Sequence, residues 1–435
     1  MNMFQPDSIL LLEPNEPELL YPFTILHPVW ELRCGVFRLF EKYQHQFPKA
    51  HILVHAAESR AAHLRSFCAR FPAVKPFDVM PLGSSLLVVQ ANVLPTAHWW
   101  KRIAEAVETM NPQKPLIVAA NGAAVAAYCP AAVLQRPSVT NHLLRDLNSA
   151  VYADAPVVSM ETRMLRYLWD AIHANGDAIE DDGRFVERTP THPALVTYGV
   201  FAVQAEQISL GNNVKIAPCV VLDASRGRII IGNDVELMAQ STIVGPCSIG
   251  DHSLVKVGTR LYENTSLGEY CKVGGEIKNT IFQAFANKQH DGCLGYSFLG
   301  EWVNLGAGTN VSDLKNNYSR IRVRFGRTSP EIHTGQTSLG LLCGDHSKSG
   351  INSMFNTGTV VGVSANVFAG AQRGGYPEKY IPSFAWGTEG QVTNPAQRFD
   401  LEKAVALART VMSRRKRSLT AEEEALLRAE YARGG

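Results

Sequence analysis

Residues 231–273 carry the sequence IGNDVELMAQSTIVGPCSIGDHSLVKVGTRLYENTSLGEYCKV, in which every sixth residue is aliphatic. Helices repeat about every 3.6 residues and strands about every 2, so neither explains a sustained interval of six. A hexapeptide repeat predicts a parallel β-helix, in which each coil is three short strands and the aliphatic side chain points into a narrow prism. The series consists of Ile231, Leu237, Ile243, Ile249, Val255, Leu261, Leu267 and Val273.

The interval of six extends to both sides of this stretch. It holds in residues 210–222 and, after a break, in residues 299–311. Segments Asn279–Phe298 and Ser312–Ser338 interrupt it, and we expect both to loop out of the solenoid, where binding chemistry is commonly placed. Glycine often follows the aliphatic residue; it tolerates positive φ and close backbone approach, and both properties suit the corners of a coil.

Composition narrows the class of protein. The chain has 435 residues, enough for two or three domains, and its 46% hydrophobic and 19% charged residues are ordinary for a soluble globular protein. A net charge of +2 predicts no general attraction to nucleic acid or to an acidic membrane. Eight scattered cysteines without a Cys-x-x-Cys pair favour reduced thiols over zinc or disulfides, and no signal peptide or membrane span is evident, so we expect a cytoplasmic protein.

Residues 1–130 alternate short apolar runs with helical patterns, which predicts an α/β domain with a mostly parallel sheet. We expect residues 142–175 to be mainly helical with Gly176 as the C-cap, and Glu180–Pro193 to be a linker. The expected domains are residues 1–190 (α/β), 196–392 (β-helix) and 393–435 (helical tail). The expected strands are Ile9–Leu12, Ile52–Val54, Leu86–Val89 and Leu116–Ala119, with helices Val36–Gln46 and Glu58–Arg70 between them.

The tail has its own pattern. Leu401–Val411 is amphipathic, and Thr420 with Glu423 forms a capping box that predicts a second helix over Ala421–Tyr431. The basic cluster Arg414–Arg417 between them would suit phosphate or nucleic acid. A short run of this kind more often complements a helix C-terminus and lies in water, and we favour that interpretation.

Motifs of the C-terminal half resemble one known family. Residues 303–309 read VNLGAGT and are followed by Asn316-Asn317-Tyr318, while Arg260, Lys278 and His290 stand upstream in a specific order and spacing. This half is similar to the acetyltransferase domain of the bifunctional N-acetylglucosamine-1-phosphate uridyltransferase/glucosamine-1-phosphate acetyltransferase family, and the whole chain resembles a variant branch of it. The resemblance implies a nucleotidyltransferase-like α/β domain, a left-handed parallel β-helix with a helical tail, and a homotrimer.

The resemblance also implies roles for single residues. His290 would be the general base, because an imidazole can accept a proton from an amine at neutral pH. The sugar phosphate and its hydroxyls would be bound by cationic and amide side chains, and the acyl donor, acetyl-coenzyme A, near the turn after residue 306. The substrate-binding set is Arg260, Lys278, Asn304, Asn317, Tyr318 and Arg322, and the set for acetyl-coenzyme A is Ala307, Gly308, Asn317 and Tyr318.

Several positions depart from the family pattern. The tyrosine expected three residues after the base is Cys293, with Tyr296 nearby as a substitute. Arg320 stands with Arg322 near the family's phosphate-binding lysine. His346, in the motif Gly344-Asp345-His346, is either a second functional histidine or a coil corner, and the sequence leaves both open.

The amino-terminal domain matches the family more loosely. Thr24 lies in a stretch similar to the L-x-P-L-T motif of sugar nucleotidyltransferases, and Arg33 continues the variant pattern. The glycine-rich phosphate loop, however, is replaced by Glu13–Glu18, whose acidic side chains and prolines cannot present a row of N–H groups to phosphates. The metal-binding aspartate is replaced by Asn92, a weak Mg²⁺ ligand.

The favoured function is transfer of an acetyl group to the amine of an amino-sugar phosphate or nucleotide sugar, in the synthesis of an activated amino sugar. One alternative is a bifunctional enzyme that also transfers a nucleotidyl group and needs Mg²⁺ for that step only; the β-helix site is expected to hold no metal. A second alternative is a non-catalytic scaffold that binds a sugar or nucleotide. The expected partners are a small-molecule sugar ligand and two further copies of the chain, with neither nucleic acid nor membrane.

Overall fold

The computed structural model describes residues 4–78, 85–189, 192–196, 199–368, 376–387 and 398–434. The chain forms two compact units. The first comprises Met1–Pro17, His27–Leu32 and Phe37–Arg166, and the second comprises Glu18–Leu26, Arg33–Val36 and Tyr167–Gly435. The division falls after Arg166 because the following helix packs with the second unit; residues 190 and 392, the expected domain ends, lie outside the described residues. No helix of the described residues is long and apolar enough to span a membrane.

The first unit is built on a seven-stranded mixed sheet, which confirms the α/β prediction. Its helices are α1 (Leu39–Gln46), α2 (Ala61–Arg70), α3 (Ala97–Thr109), α4 (Ala131–Leu134) and α5 (Asn141–Leu144). Its strands are β1 (Ser8–Leu12), β2 (His51–His55), β3 (Lys75–Pro76), β4 (Leu86–Gln90), β5 (Val93–Leu94), β6 (Leu116–Ala120), β7 (Ala123–Cys129), β8 (Val157–Ser159) and β9 (Arg163–Met164). The sheet order is β3-β2-β1-β4-β7-β6-β8, with β1 parallel to both β2 and β4.

The prediction that residues 142–175 are mainly helical was wrong. Only α5 and the start of α6 (Leu168–Asp182) are α-helical there, because β8 pairs with β6 and tertiary pairing outweighs local propensity. Gly176 lies inside α6 and is not its C-cap. A Cβ at this position would stand 1.9 Å from the Asn264 side chain, so close packing explains the glycine. The expected linker likewise begins inside α6, where Glu180 pairs with Arg228 at 3.3 Å.

The second unit contains the predicted parallel β-helix, with three faces whose strands stack from coil to coil. The first face consists of Phe201–Val203, Val221–Asp223, Thr242–Val244, Arg260–Leu261, Glu276–Lys278 and Cys293–Gly295, continued by the pair Asn310–Val311 and Met354–Phe355. The second face consists of Ile208–Leu210, Ile229–Ile231, Cys247–Ile249, Thr265–Leu267, Ile281–Phe282, Phe298–Leu299, Leu341–Cys343, Thr359–Val361 and Tyr380–Ile381.

The third face is the shortest of the three. Asn304 forms single bridges to Asn287 and Lys348 and so joins its two parts. Its strands are Lys215–Ile216, Glu236–Leu237, Leu254–Val255, Lys272–Val273, Asn287–Lys288, Lys348–Ser349 and Asn366–Val367. All eight residues of the hexapeptide series lie in the apolar core of the prism, and Ile243 pairs with Leu261, one full coil later. The fold class expected from the sequence, an α/β domain followed along the chain by a left-handed parallel β-helix, is confirmed.

One of the two expected interruptions is an excursion and the other is not. Residues 312–338 leave the solenoid and form an antiparallel hairpin, Arg322–Val323 with Ile332–His333. The prediction that Asn279–Phe298 loops out was wrong, because this segment contributes a strand to every face. Its turns are shorter, so that Leu267 pairs with Phe282 and Val273 with Lys288, and the interval of six is lost while the stacking continues.

At the corners between the second and third faces, close stacking of the backbone and positive φ occur at two different positions. A Cβ on Gly250 would lie 2.6 Å from the backbone of Gly268, so glycine permits close stacking there. Positive φ is taken two residues later by non-glycine residues. Their rings stack in a ladder, with centroid separations of 4.5, 5.4, 4.2 and 6.2 Å along the series His252, Tyr270, Phe285, Trp302 and His346.

The tail forms the two predicted helices, α7 (Leu401–Ser413) and α8 (Ala421–Arg433), and the Thr420–Glu423 capping box is present. Met412 packs into an apolar cluster with Phe285 and Trp302 of the aromatic ladder, and Leu419 packs against the same cluster. The tail is therefore part of the second compact unit.

Lys288 is an exception among the core positions. It pairs in register with Val273, its side chain is fully buried, and its ammonium donates to the carbonyls of His290 (2.5 Å) and Gly274 (3.3 Å). Burial lowers the pKa of Lys288 to about 8 from 10.5. The protonated side chain therefore opposes folding at neutral pH, since the unfolded chain binds the proton more tightly.

We predict that the stability of the parent, relative to Lys288→Met, rises as the pH increases from about 8 to about 10. The folded pKa lies below the unfolded one, so the unfolded state holds more protons in this window and the gain should reach roughly 2–3 kcal/mol. Denaturant unfolding at several pH values measures it. The exposed third-face variant Lys215→Met is the control and should follow the parent; parallel pH curves for parent and Lys288→Met would contradict the prediction.

Candidate active site

The corner between the third and first faces holds an open pocket of about 420 Å³. His290 is exposed there, in the turn that joins strand Asn287–Lys288 to strand Cys293–Gly295. Gly275 and Gly292 in these turns have φ of +77° and +120°, which side-chain-bearing residues rarely adopt. The lining residues are Lys256, Val257, Gly274, Gly275, Gln289, His290, Asp291, Ala307 and Gly308.

Three residues expected in the site therefore meet in one pocket: His290, Ala307 and Gly308. Lys256, Gln289 and Asp291 were missed by the sequence analysis. The signal that would have found them is the coil repeat, because positions about one coil apart share a corner, as Gly308 N donating to Asp291 O shows. Lys288 supports the turn from inside the prism through its bond to the His290 carbonyl.

The two expected phosphate-binding cations lie on the first face, and each already faces a carboxylate. Arg260 is exposed, and its Nε lies 3.7 Å from Glu276, while Lys278 Nζ lies 3.3 Å from Asp313. Burial alone would lower the pKa of Lys278, but the Asp313 carboxylate raises it above its ordinary value. Surface pairs of this kind contribute about 1 kcal/mol or less, so a phosphate could displace the carboxylates.

Cys293 and Tyr296 border these cations. The Tyr296 ring centroid lies 5.7 Å from Lys278 Nζ and 5.5 Å from the His173 ring. Burial, followed by the Glu276 carboxylate, raises the pKa of Cys293, so its thiol is held neutral. Tyr296 thus lies beside Lys278, an expected site residue, as it should if it replaces the family's tyrosine. Neither Tyr296 nor Cys293 lines the His290 pocket.

Asn304 lies on the third face, where its Oδ1 accepts a hydrogen bond of 3.3 Å from Asn287 Nδ2. Asn317 and Tyr318 lie in the excursion after Val311; both are exposed, Tyr318 by 70%. None of the three lines the His290 pocket within one chain.

The arginines of the excursion also contact other residues of the excursion. Arg322 pairs with Glu331 at 3.1 Å across the hairpin, and Arg320 donates to the Gly335 carbonyl. Neither lies at the His290 pocket, so the single chain does not unite them with the expected base.

His346 occupies a coil corner between the second and third faces. It is buried, has a φ of +60°, and stacks on Trp302 at 6.2 Å. Of the two interpretations left open by the sequence, the geometry favours the structural one.

In the first unit, the carboxyl ends of the parallel strands β1 and β4 mark the edge where α/β folds commonly bind nucleotides. Glu13 follows β1 at this edge. Its carboxylate is almost fully buried and receives two bonds from Arg60, at 3.0 and 3.1 Å, and one from Val29 N–H at 3.1 Å. A protein carboxylate thus occupies the position at which the family places its phosphate-binding loop.

The three residues expected at a nucleotidyltransferase-like site, Thr24, Arg33 and Asn92, do not all belong to the same compact unit. Asn92 is buried just after β4, and its Oδ1 accepts no hydrogen bond from the described residues. Thr24 and Arg33 belong to the second unit. Arg33 pairs with Glu269 at 2.9 Å and donates to the Gln283 carbonyl at 3.0 Å, so its guanidinium is committed to the β-helix.

Parts of the chain are similar to known proteins. A sequence profile of the family described as "Sugar nucleotidyl transferase" matches residues 9–190. A bifunctional sugar-1-phosphate nucleotidylyltransferase/acetyltransferase of Sulfurisphaera tokodaii is 31% identical over 168 residues, which are 38% of this chain and 39% of that protein. The bifunctional protein GlmU of Acaryochloris marina is 29% identical over 211 residues, 45% of this chain and 40% of that protein.

One solved structure, an Arabidopsis UDP-N-acetylglucosamine acyltransferase, aligns with 54% of this chain and 87% of its own chain. The sequence identity is 11% and the TM-score is 0.27. The chain spans less than half the length of the curated relatives it matches. Residues 9–190 thus match the sugar nucleotidyltransferase family, and part of the chain is similar to bifunctional sugar nucleotidyltransferase/acetyltransferases.

Proposed function

We propose that this protein transfers an acetyl group from acetyl-coenzyme A to the amine of an amino-sugar phosphate or nucleotide sugar. The observation that carries the proposal is the pocket in which His290, Ala307 and Gly308 meet at one corner of the β-helix. The similarity to the Sulfurisphaera tokodaii protein, a bifunctional sugar-1-phosphate nucleotidylyltransferase/acetyltransferase, supports it. The product would be an activated amino sugar.

The chemistry requires few groups. The neutral sugar amine attacks the thioester carbonyl, His290 accepts the amine proton, and the carbon–sulfur bond breaks to release the thiolate, which recovers a proton. Lys288 holds the turn that carries His290, and Arg260 and Lys278 on the adjacent first face would bind the sugar phosphate in place of Glu276 and Asp313.

A homotrimer would complete the site. Val257, 56% exposed, lines the pocket, and Ile351, 76% exposed, lies one coil further on, next to Asn352, whose N–H donates to the Ala307 carbonyl. Apolar residues clustered beside an open pocket suit a subunit interface. A neighbouring copy would then supply the expected residues that the single chain leaves apart, namely Asn304, Asn317 and Tyr318.

The second candidate function keeps nucleotidyl transfer as well, and the family match over residues 9–190 favours it. The edge of the sheet argues against it, because Glu13 is buried against Arg60 where phosphates would have to bind. Asn92 offers a neutral amide where Mg²⁺ prefers a carboxylate. The residues present do not fit the metal, and we assign no step to it.

The first test is free-thiol release from acetyl-coenzyme A with a panel of amino-sugar phosphates and nucleotide sugars. We expect turnover with at least one acceptor, and His290→Ala should lower kcat by roughly 10²–10⁴-fold with the sugar KM nearly unchanged. His346→Ala, at the other corner, is the matched histidine control. A His290→Ala enzyme with parental turnover would remove this residue from the mechanism.

Arg260→Ala should behave differently from His290→Ala. The arginine contacts a phosphate present in both ground and transition states, so KM should rise more than kcat falls. Arg226→Ala, an exposed arginine of the β-helix whose guanidinium lies 3.7 Å from Glu263, is the control for loss of charge. An unchanged KM for the phosphorylated acceptor would exclude Arg260 from phosphate binding.

We predict that the protein is a trimer at micromolar concentration. Light scattering gives the mass directly, and a monomer would contradict the shared site. The paired substitution Val257→Asp with Ile351→Asp should favour the monomer because it places charge on the exposed apolar corner.

We also predict no efficient Mg²⁺-dependent uridyl transfer from UTP to a sugar 1-phosphate. The buried Glu13 carboxylate would repel a triphosphate, and Asn92 binds the metal poorly. Pyrophosphate release is the measurement. Rapid release would reverse the prediction and establish the bifunctional alternative, whereas failure of both assays across the panel would support the non-catalytic scaffold.

A further inference from the structure

The basic turn between α7 and α8 lies against the third face of the β-helix. Arg415 Nη2 donates to Asn287 Oδ1 at 3.2 Å, and the Arg417 guanidinium stands 5.8 Å from the Phe285 ring centroid. Asn287 is the register partner of Lys272 on this face. Arg415 therefore departs from the expectation that this cluster lies in water at a helix end, whereas Arg414, Lys416 and Arg417 are exposed there.

Four cations lie near one another at the third face as a result, and one of them reaches the pocket. Lys272 projects from the third face, and Lys256, one strand away, lines the His290 pocket itself. Burial, then Arg415, Lys256 and Arg414 in that order, lowers the pKa of Lys272 below its ordinary value. These cations are therefore close enough to repel one another.

The four side chains differ in their partners from the cations of the first face and of the hairpin. Arg260, Lys278 and Arg322 each pair with a carboxylate within 4 Å. Lys256, Lys272, Arg414 and Arg415 form no such ion pair with any described residue. Asp291, which is exposed, is the one acidic residue among those that line the pocket. Uncompensated cations held close together at a protein surface create a site for a polyanion.

We propose that Arg414 and Arg415 of the tail, with Lys272 and Lys256 of the β-helix, form one composite site that binds the diphosphate of a nucleotide-bearing ligand whose reactive end enters the His290 pocket. The packing of Met412 and Leu419 on the aromatic ladder positions the tail's share of this site. The proposal rests on the proposed function for the identity of the ligand. The ligand is either coenzyme A or a nucleotide sugar, and both carry a diphosphate.

The test is calorimetric binding to the full chain with inorganic pyrophosphate, coenzyme A, its phosphate-free fragment pantetheine, UDP and uridine. Removal of one cation should weaken binding of pyrophosphate and of the true source about tenfold. The variants are Arg414→Gln, Arg415→Gln and Lys272→Gln, with Arg226→Gln as the charge control. Lys272→Gln probes the site from the β-helix and so does not depend on the tail remaining docked.

The outcomes separate the site from the reaction. Weakened coenzyme A binding with unchanged pantetheine assigns the site to the acyl donor, and weakened UDP binding with unchanged uridine assigns it to a nucleotide sugar. Parental binding of pyrophosphate in all three variants, or no pyrophosphate binding by the parent at millimolar concentration, overturns the site. Pyrophosphate binding that depends on these cations in a protein without acetyl transfer would contradict the proposed function and leave the site standing.

Discussion

Every feature of the second unit depends on the narrow apolar prism at the centre of its coils. Each strand contributes one inward side chain. Because the strands are so short, that side chain is buried by the stacked coils and not by a second layer of helices or strands. The stack of isoleucine, leucine and valine therefore sets the register of all three faces at once. When a coil shortens, as it does between Val273 and Leu294, the inward position is kept and the turn loses residues.

The corners follow from the same constraint and have different uses. Corners between the second and third faces carry positive-φ residues whose rings stack, and the tail packs on that ladder. Corners between the third and first faces carry glycines and short turns that leave room for the pocket. Lys288 lies in the core beside this corner. Its buried charge destabilises the fold, but its hydrogen bond to the His290 carbonyl holds the turn that carries His290.

Charge pairing distinguishes structural sites from candidate binding sites. Glu13 with Arg60, and Arg33 with Glu269, are buried or half-buried pairs that satisfy each other within their own units. Their charges are not available to a ligand, so the expected nucleotide site loses its one expected cation, Arg33, and gains the Glu13 carboxylate. Lys256, Lys272, Arg414 and Arg415 have no such partners in the part of the chain that the structure describes, so a ligand's phosphates could supply negative charge there.

The sequence alone determined the β-helix, the α/β domain and both tail helices, because hydrophobic period and capping residues are local signals that tertiary contacts reinforced. The family resemblance pointed to His290, Ala307 and Gly308, and the fixed length of a coil brings these three residues to one corner. Only the tertiary structure decided that Asn279–Phe298 stays in the solenoid, that Gly176 lies inside a helix, and that Arg33 serves the β-helix. The docking of Arg415 beside Lys272, more than a hundred residues away in sequence, was equally invisible, because non-local packing leaves no periodic trace in a single chain.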